Sequence, residues 1–380
     1  MDNIIRLSIA HMGGHEQAYI ERAFDTNWVT PLGPNVDRFE QFLSAYTGTA
    51  CRVVALSSGT AAIHLGLVLL EVKPGDEVIC QSFTFAATVN PVTYLGGVPV
   101  LVDSERDTWN MDPSLLEKAI LDRLEKSGRL PKAIIPVHLY GMPAKMDEIM
   151  AIADRYHIPI LEDAAEALGS EYDGQKCGTL GRLGVLSFNG NKMITTSGGG
   201  ALICRTEQEA GRIVFLATQA RDDAPHYQHS EIGYNYRLSN ICAGIGCGQM
   251  HVLDEHVERR RAIHALYAEW LKGVPGVTVM ERPGERFNPN YWLTCITVDP
   301  RLAGKTRDDI RLALLADHIE SRPLWKPMHL QPVFSGLPFY GSGVSEQLFE
   351  TGLCLPSGSS LTDEEIEQVV NGIKSCININ

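Results

Sequence analysis

The sequence contains no long hydrophobic run. Nowhere in its 380 residues do 18 consecutive apolar residues occur, the length at which a stretch becomes a candidate membrane-spanning helix. The first residues, 1–14, also lack the apolar core of a secretory signal. We therefore expect neither a membrane span nor export, and we predict a cytoplasmic protein.

Positive charge is in the minority. The chain carries 33 Lys and Arg against 46 Asp and Glu, which gives a formal net charge of −13 at pH 7. Nucleic acids and anionic membrane surfaces attract proteins with the opposite balance. Nor does the sequence contain a basic helix-turn-helix segment. These features argue against nucleic acid and membrane partners, although a local positive pocket for phosphates is compatible with them.

Metal-ligand spacing is absent as well. The nine cysteines are scattered, and Cys242 and Cys247 have four residues between them with no further ligand nearby. His226 and His229 form a pair without an evident third ligand. We predict no metal site, and we interpret most of the cysteines as small buried side chains in a reducing compartment.

Two nucleotide-binding motifs are also missing. No Gly-x-Gly-x-x-Gly follows the first predicted strand, which argues against a nicotinamide-dependent enzyme. Gly304-Lys305-Thr306 resembles the end of a phosphate-binding P-loop, but Asp299 stands where that motif needs its first glycine. Neither motif therefore explains what the protein does.

What the sequence does contain is a regular alternation of short apolar runs and amphipathic segments. Val and Ile dominate the apolar runs, which show little polar alternation, as in strands that are buried on both faces. This pattern predicts strands at 52–56, 77–81, 98–102, 133–137, 158–162, 185–188 and 201–204, with helices such as 61–70, 113–124 and 145–156. Alternating βα units indicate an α/β protein with a mostly parallel central sheet flanked by helices.

The length of the chain predicts two domains, because single cores usually stop growing at roughly 250–300 residues. We predict a large α/β domain over residues 1–245 and a smaller C-terminal α+β domain over 246–380. The periodic segment 240–271 is predicted as one long helix that leaves the first domain. Thr362 or Asp363 is expected to cap the last helix, 363–374.

A lysine beside a polar turn and three glycines is the most informative local feature. Lys192 ends the segment 187–192, Ser-Phe-Asn-Gly-Asn-Lys, and three glycines follow at 198–200. Lysine amines form Schiff bases with carbonyl carbons, and glycines let a backbone approach a ligand closely. Taken alone, a lysine is more often a solvated surface residue.

A carboxylate upstream, Asp163, supports a functional role for Lys192. The apolar run 158–161 precedes Glu162-Asp163, which places this carboxylate at the carboxyl end of a buried strand. A carboxylate beside a pyridine nitrogen keeps that nitrogen protonated, so the ring takes up electrons when a C–H bond breaks. Helix capping is the alternative role for Asp163. An acid and a lysine at strand ends are the pair that a pyridoxal phosphate enzyme needs.

A turn suited to phosphate completes the set. Residues 57–60, Ser-Ser-Gly-Thr, lie between a predicted strand and a helix, where free N–H groups and the helix dipole favour an anion. Ser187 ends another strand and is able to add a hydroxyl. An ordinary helix cap is the alternative. Phe83 and Phe85 follow a strand as well, where an aromatic side chain either stacks on a cofactor ring or packs in the core.

These motifs resemble those of the DegT/DnrJ/StrS sugar aminotransferases, within the fold-type I pyridoxal phosphate enzymes. The resemblance covers nearly the whole chain and rests on residues 27–34, 57–60, 162–166, 187–192, 233–240 and 325–332. It implies the fold-type I architecture, pyridoxal 5'-phosphate as cofactor, and L-glutamate and a nucleotide-linked keto sugar as substrates. It also implies a homodimer with shared active sites.

The resemblance assigns roles to individual residues. Lys192 would be the catalytic residue, which links covalently to the cofactor and moves the proton between substrate and cofactor. The other cofactor-binding residues would be Asp163 at the pyridine nitrogen, Glu166 near the 3-oxygen, Phe85 stacked on the ring, and Gly59, Thr60, Ser187 and the partner subunit's Asn235 at the phosphate. Glu166 departs from the glutamine that is frequent in the family. Trp28, Arg237 and His329 fall in segments that line the substrate cleft of the family.

Three segments narrow the substrate. Residues 187–200, 219–221 and 226–231 look like those of the branch that aminates UDP-linked 4-keto-6-deoxy-N-acetylhexosamines at C4, for bacillosamine-type and related surface glycans. Alternatives are another nucleotide sugar (dTDP- or GDP-linked), a different pyridoxal phosphate enzyme such as a lyase, or a non-catalytic regulator. Sugar dehydratases of this family carry histidine where Lys192 stands, which argues against that activity.

Overall fold

The computed structural model describes residues 4–48 and 50–378. Its helices are α1 (Glu16–Asp25), α2 (Pro34–Thr47), α3 (Gly59–Leu69), α4 (Asn90–Tyr94), α5 (Pro113–Ser127), α6 (Met146–Arg155), α7 (Glu207–Ala217), α8 (Asn240–Met250), α9 (Leu253–Trp270), α10 (Pro300–Ala303), α11 (Arg307–Ala316), α12 (Val344–Thr351) and α13 (Asp363–Cys376). Its strands are β1 (Arg52–Leu56), β2 (Glu77–Gln81), β3 (Val98–Val102), β4 (Ala133–Ile135), β5 (Leu161–Asp163), β6 (Glu171–Tyr172), β7 (Gln175–Lys176), β8 (Leu183–Ser187), β9 (Gly200–Cys204), β10 (Val277–Val279), β11 (Phe287–Asn288), β12 (Thr294–Val298), β13 (Arg322–Pro323), β14 (Phe339–Tyr340) and β15 (Gly352–Leu355).

The centre of the molecule is a mostly parallel sheet. Two four-stranded parts, β1-β9-β8-β5 and β4-β2-β3-β14, are joined where Ile134 and Val137 bridge to Ile160 and Asp163. All pairs in the second part, and β5 with β8, are parallel, whereas β9 runs antiparallel to both of its neighbours. The predicted α/β class is thus confirmed. Parallel strands end at one edge of a sheet, which is where ligands bind in such folds.

The strands of this sheet are buried on both faces, as their sequences predict. In β2, Val78 and Cys80 pack in one apolar cluster and Ile79 in another on the opposite face. Both clusters are apolar because helices cover each side, so the alternation typical of a half-exposed strand is absent.

The predicted long helix at 240–271 is wrong. The chain forms α8, then leaves helical geometry at Val252, and continues as α9. No Gly or Pro marks the interruption in the sequence. The interruption coincides with tertiary contacts, since the ring of His251 lies against those of Tyr19 and Phe42.

A second, antiparallel sheet lies in the C-terminal part, in the order β10-β12-β15-β13. α9, α11 and α13 contribute to its apolar cluster, which includes Ile296, Leu353 and Ile373. α13 begins with a capping box between Thr362 and Glu365, which confirms the predicted start. The division into domains at 245/246 stays a prediction, and that position falls within α8.

Candidate functional site

The amino end of α3 forms one side of the candidate site. Ser58 caps this helix, because its Oγ accepts a hydrogen bond from the Ala61 N–H at 3.0 Å. The first N–H groups of a helix have no partners within the helix, and Gly59 and Thr60, which carry such groups, line a cavity of about 330 Å³. Free N–H groups at the positive end of the helix dipole are suited to an anion.

Close backbone packing fixes this turn in place. A Cβ added to Gly200, at the start of β9, would lie only 2.4 Å from the Gly59 nitrogen and from the Ser58 carbonyl carbon. Only glycine therefore lets β9 pass beneath the turn. The hydroxyl of Ser187 lies beside the same turn, 3.5 Å from the position of a Cβ on Gly59. Ser187 and Gly59 line the cavity together.

Asp163 lies at the carboxyl end of β5, and its side chain is held on both oxygens. Oδ2 accepts a hydrogen bond from the Thr88 hydroxyl at 2.7 Å, and Oδ1 accepts one from the Ala165 N–H at 3.2 Å. Because Thr88 donates its single hydroxyl proton to Asp163, the neighbouring Thr84 hydroxyl, 2.7 Å away, donates to Thr88. Neither threonine was predicted as a site residue, since nothing in the local sequence pattern links them to a carboxylate.

Lys192 and Glu166 form an ion pair on the other side of the cavity. Nζ of Lys192 lies 3.1 Å from Oε1 of Glu166, and Oε2 of Glu166 accepts a hydrogen bond from the Tyr140 N–H at 2.7 Å. Burial raises the pKa of the Glu166 carboxyl, and the attraction of Lys192 and the hydrogen bond from Tyr140 oppose that rise. A lysine and a carboxylate therefore share a site from which most water is excluded.

Aromatic side chains close the rest of the cavity. Phe85 lies against Trp325, with ring centroids 5.4 Å apart, and Trp292 also lines the cavity. Phe85 is 59% exposed and Phe83 is fully buried. Of the two predicted alternatives, stacking on a cofactor ring and packing in the core, Phe83 therefore follows the second. Neither tryptophan was predicted from the sequence to line the site. The one sequence feature that pointed to Trp325 was its place at the start of the segment 325–332.

The structure brings together Gly59, Thr60, Phe85, Asp163, Glu166, Ser187 and Lys192. The other four predicted site residues lie outside this cavity. Asn235 is exposed, in a segment that bridges to Thr218. Trp28 lines a separate small cavity with Arg22 and Arg38.

Arg237 and His329 are held by side-chain partners elsewhere. Arg237 donates hydrogen bonds to the carboxylate of Glu40 and, at 2.9 Å, to the carbonyl of Ala55. His329 lies between the Ser82 hydroxyl, 2.7 Å from Nδ1, and the Glu346 carboxylate, 3.0 Å from Nε2. Within one chain, neither side chain reaches the cavity.

The fold and the cavity, with its anion-binding turn, its lysine amine and its carboxylate, define an enzyme of the pyridoxal phosphate-dependent class. The profile of the DegT/DnrJ/EryC1/StrS aminotransferase family matches residues 10–374. The chain belongs to this family.

Individual relatives cover almost the full length. EpsN of Bacillus subtilis, which carries the provisional name of a pyridoxal phosphate-dependent aminotransferase, is 52% identical over 374 residues, 97% of this chain and 95% of EpsN. GDP-perosamine synthase of Caulobacter vibrioides is 36% identical over 372 residues, 97% of this chain and 98% of that protein. A solved structure of Spr1654 from Streptococcus pneumoniae, provisionally named a sugar aminotransferase and in its PLP form, superimposes with a TM-score of 0.90 at 27% identity and 99% coverage of both chains.

The residues of the cavity fit this cofactor. An anion suits the turn at Gly59 and Thr60, an aldehyde requires an amine such as Lys192, and a pyridine nitrogen requires an acid such as Asp163. The glycine at 200 keeps the turn free of side-chain atoms. The donor set thus matches all three chemical groups of pyridoxal phosphate.

Neither a membrane helix nor a metal cluster appears in the part of the chain that the structure describes. No helix within residues 4–48 and 50–378 has the length and apolar character needed to span a bilayer. Over the same residues, no group of three or more His, Cys, Asp or Glu side chains is arranged to hold a metal ion.

Proposed function

We propose that this enzyme transfers the amino group of L-glutamate to C4 of a UDP-linked 2-acetamido-2,6-dideoxy-4-ketohexose, for a cell-surface polysaccharide or glycan. The observation that carries the reaction type is the convergence of Lys192, Asp163 and the turn at Gly59 in one cavity. The nucleotide and the sugar rest on the likeness of residues 187–200, 219–221 and 226–231 to the branch that aminates such sugars.

The residues of the cavity would hold the cofactor at both ends. Gly59, Thr60 and Ser187 would bind its phosphate, Asp163 its pyridine nitrogen, and Phe85 one face of its ring. Pyridoxal phosphate, when bound, supplies an aldehyde that accepts the amino group and a ring that takes up the electrons released by C–H cleavage. Thr88 would hold Asp163 in the orientation in which it faces the ring.

Lys192 would act as the general base and acid. Its Nζ would take the proton from Cα of glutamate and deliver it to the cofactor carbon that carries the transferred nitrogen; in the second half of the reaction it would take a proton back from that carbon and deliver it to C4 of the sugar. Glu166, 3.1 Å from Nζ, receives a hydrogen bond from the ammonium form and so steadies it between the two transfers. Trp292 and Trp325 line the cavity beside Lys192 and so limit the access of bulk water to that proton.

We also propose a homodimer with shared active sites. Asn235 is exposed and lies outside its own chain's cavity, whereas the adjacent Tyr234 and Tyr236 stack on each other and make edge-on ring contacts with His64 of α3. The segment is therefore anchored on one chain while its asparagine is presented outwards. The proposal is that this asparagine completes the phosphate site of the second chain.

A GDP-linked 4-keto sugar is the second candidate substrate. The relative from Caulobacter vibrioides named GDP-perosamine synthase is 36% identical to this chain over nearly its full length. Both candidates present a C4 ketone, so the reaction at Lys192 is the same, and contacts to the nucleotide and to the other sugar substituents decide between them. A regulator without catalysis would have no need for a buried lysine and carboxylate in one cavity.

Absorbance spectroscopy tests this proposal. The purified enzyme with pyridoxal phosphate is expected to show a long-wavelength band that collapses when L-glutamate is added. UDP- and GDP-linked 4-keto sugars are then added separately, and the proposed substrate is the one that restores the band. Restoration by the GDP sugar alone would replace the UDP assignment. A band that glutamate does not change, or an active Lys192→Ala variant, would contradict the reaction itself.

A further inference from the structure

Trp292 contacts Lys192 directly. The Nζ atom of the lysine lies 4.1 Å from the centroid of the Trp292 ring. A cation within about 6 Å of the face of an indole ring is attracted by the ring quadrupole. Lys192 therefore has two partners in the cavity, the carboxylate of Glu166 at 3.1 Å and the tryptophan face.

The ring is fixed by contacts that do not involve the lysine side chain. Trp292 is 3% exposed, its N–H donates to Asn290 Oδ1 at 2.8 Å, and its carbonyl accepts from Arg260. Nε1–H of the indole donates to the Asn191 carbonyl at 2.7 Å. The ring is thus preorganised against the residue that directly precedes Lys192.

The Asn191 carbonyl joins this arrangement to the N-terminal segment. It also accepts a hydrogen bond from the Ser8 hydroxyl at 3.0 Å, and Ser8 accepts one from Arg260 at 3.0 Å. Arg260 is 1% exposed and donates to the carbonyls of Trp292 and Ser357 as well. Contacts from three distant parts of the chain hold the main chain beside Lys192 and the ring above its amine.

We propose that Trp292 is a positioning residue for Lys192, which holds the ammonium form of Nζ on its ring face while the lysine is free of the cofactor. The inference rests on the proposed role of Lys192 as the group that carries the proton between the two transfers. Glu166 and Asp163 are the other charged groups that line the cavity. Glu166 contacts Nζ from one side, and the indole of Trp292 contacts Nζ from another. A lysine that is free of the cofactor therefore stays within the cavity.

Chemical labelling of the cofactor-free protein tests this inference independently of the reaction. Acetylation of Lys192 by acetic anhydride is followed by mass spectrometry over a series of pH values, and the rate at pH 7.5 is divided by the limiting rate of the free amine, which is taken from the upper plateau of the pH profile. Access of the reagent affects both rates, whereas stabilisation of the ammonium form lowers only the rate at pH 7.5. The ratio of the rate at pH 7.5 to the limiting rate therefore reports on charge stabilisation and cancels changes in exposure.

Three variants separate the contributions of the ring. Trp292→Leu removes the π face and is expected to raise the rate ratio about threefold, given the usual strength of cation–π contacts. Trp292→Phe keeps an aromatic face and should stay much closer to the native ratio. Trp325→Leu opens the same cavity at a side chain that lies against Phe85 and Tyr140, with its ring centroid 6.4 Å from that of Trp292. It should leave the ratio unchanged, because the Trp292 face over Nζ is held by other contacts.

The inference is overturned if Trp292→Leu leaves the ratio unchanged, or if Trp292→Phe or Trp325→Leu raises it as much. Should Trp292→Leu fail to fold, tryptophan fluorinated on the ring replaces it, because fluorine weakens the quadrupole and nearly preserves the shape. That protein should also show a raised ratio, and a native ratio would again overturn the inference. A failed glutamate response with a positive labelling result would contradict only the proposed function.

Discussion

Gly200→Ala should weaken the binding of pyridoxal phosphate through its phosphate group. The new Cβ would lie 2.4 Å from the Gly59 nitrogen, whereas ordinary contacts begin near 3.4 Å, so β9 and the turn would have to separate by about 1 Å. All three clashing atoms, Gly59 N and the carbonyl carbon and oxygen of Ser58, belong to the main chain and cannot rotate away. Overpacking of this kind costs about 1–3 kcal/mol of stability.

The effect on the cofactor follows from the same displacement. A shift of about 1 Å moves the N–H groups of the turn out of hydrogen-bonding range of a phosphate, and each hydrogen bond to a charged group is worth about 1.5–3 kcal/mol. Loss of one such bond raises the dissociation constant roughly 10- to 100-fold. The constant is measured by titrating cofactor-free protein with pyridoxal phosphate and following the absorbance.

Two comparisons make this prediction specific. Pyridoxal, which lacks the phosphate, should lose far less affinity than pyridoxal phosphate. Gly190→Ala is the matched control, since a Cβ there meets nothing within 4 Å and Gly190 lies in the same loop as Lys192. Native affinity in Gly200→Ala, or an equal loss for pyridoxal or in Gly190→Ala, would refute the assignment of this turn to the phosphate.

Three further predictions concern other parts of the molecule. Thr88→Val should lower the free energy of unfolding by about 1–3 kcal/mol, because it leaves Oδ2 of the buried Asp163 carboxylate without the donor it has in the native protein, and Thr88→Ser should restore most of it; equal stability of both variants would contradict this. Burial lowers the pKa of His264 to about 4, so the unfolded chain binds an extra proton between that value and its ordinary 6.5, and stability falls as the pH drops through this window. In urea denaturation, His264→Phe should lose about 2 kcal/mol less than the native protein between pH 7 and pH 5, and an identical loss would argue against a neutral buried imidazole. If the sites are shared, mixing Lys192→Ala with Asn235→Ala after dissociation should recover activity, since each mixed dimer contains one native site; no recovery would argue against sharing.

The α/β class and three strands of the central sheet follow from the sequence alone. Val- and Ile-rich runs predict β1, β2 and β3 with their observed bounds, because strands covered on both faces are rich in apolar residues. The strands predicted at 133–137, 158–162 and 185–188 are observed at Ala133–Ile135, Leu161–Asp163 and Leu183–Ser187. The carboxyl ends of such strands meet at one edge, so Asp163 and Ser187 were expected at a common site without knowledge of the topology. The start of the last helix at Thr362 was also predicted from the sequence, since the capping box lies within four residues.

Which groups are in contact at that edge depends on the tertiary structure. Thr88 lies 75 residues from Asp163 along the chain, and the indole of Trp292 meets Lys192 from the C-terminal part of the protein. Such contacts depend on how helices and loops pack over the sheet, and the residues that make them show no local periodicity. The interruption between α8 and α9 has the same origin, because packing overrides helix propensity at Val252. The class of the fold and its first strands follow from short-range patterns, whereas the environment of the lysine amine follows from long-range packing.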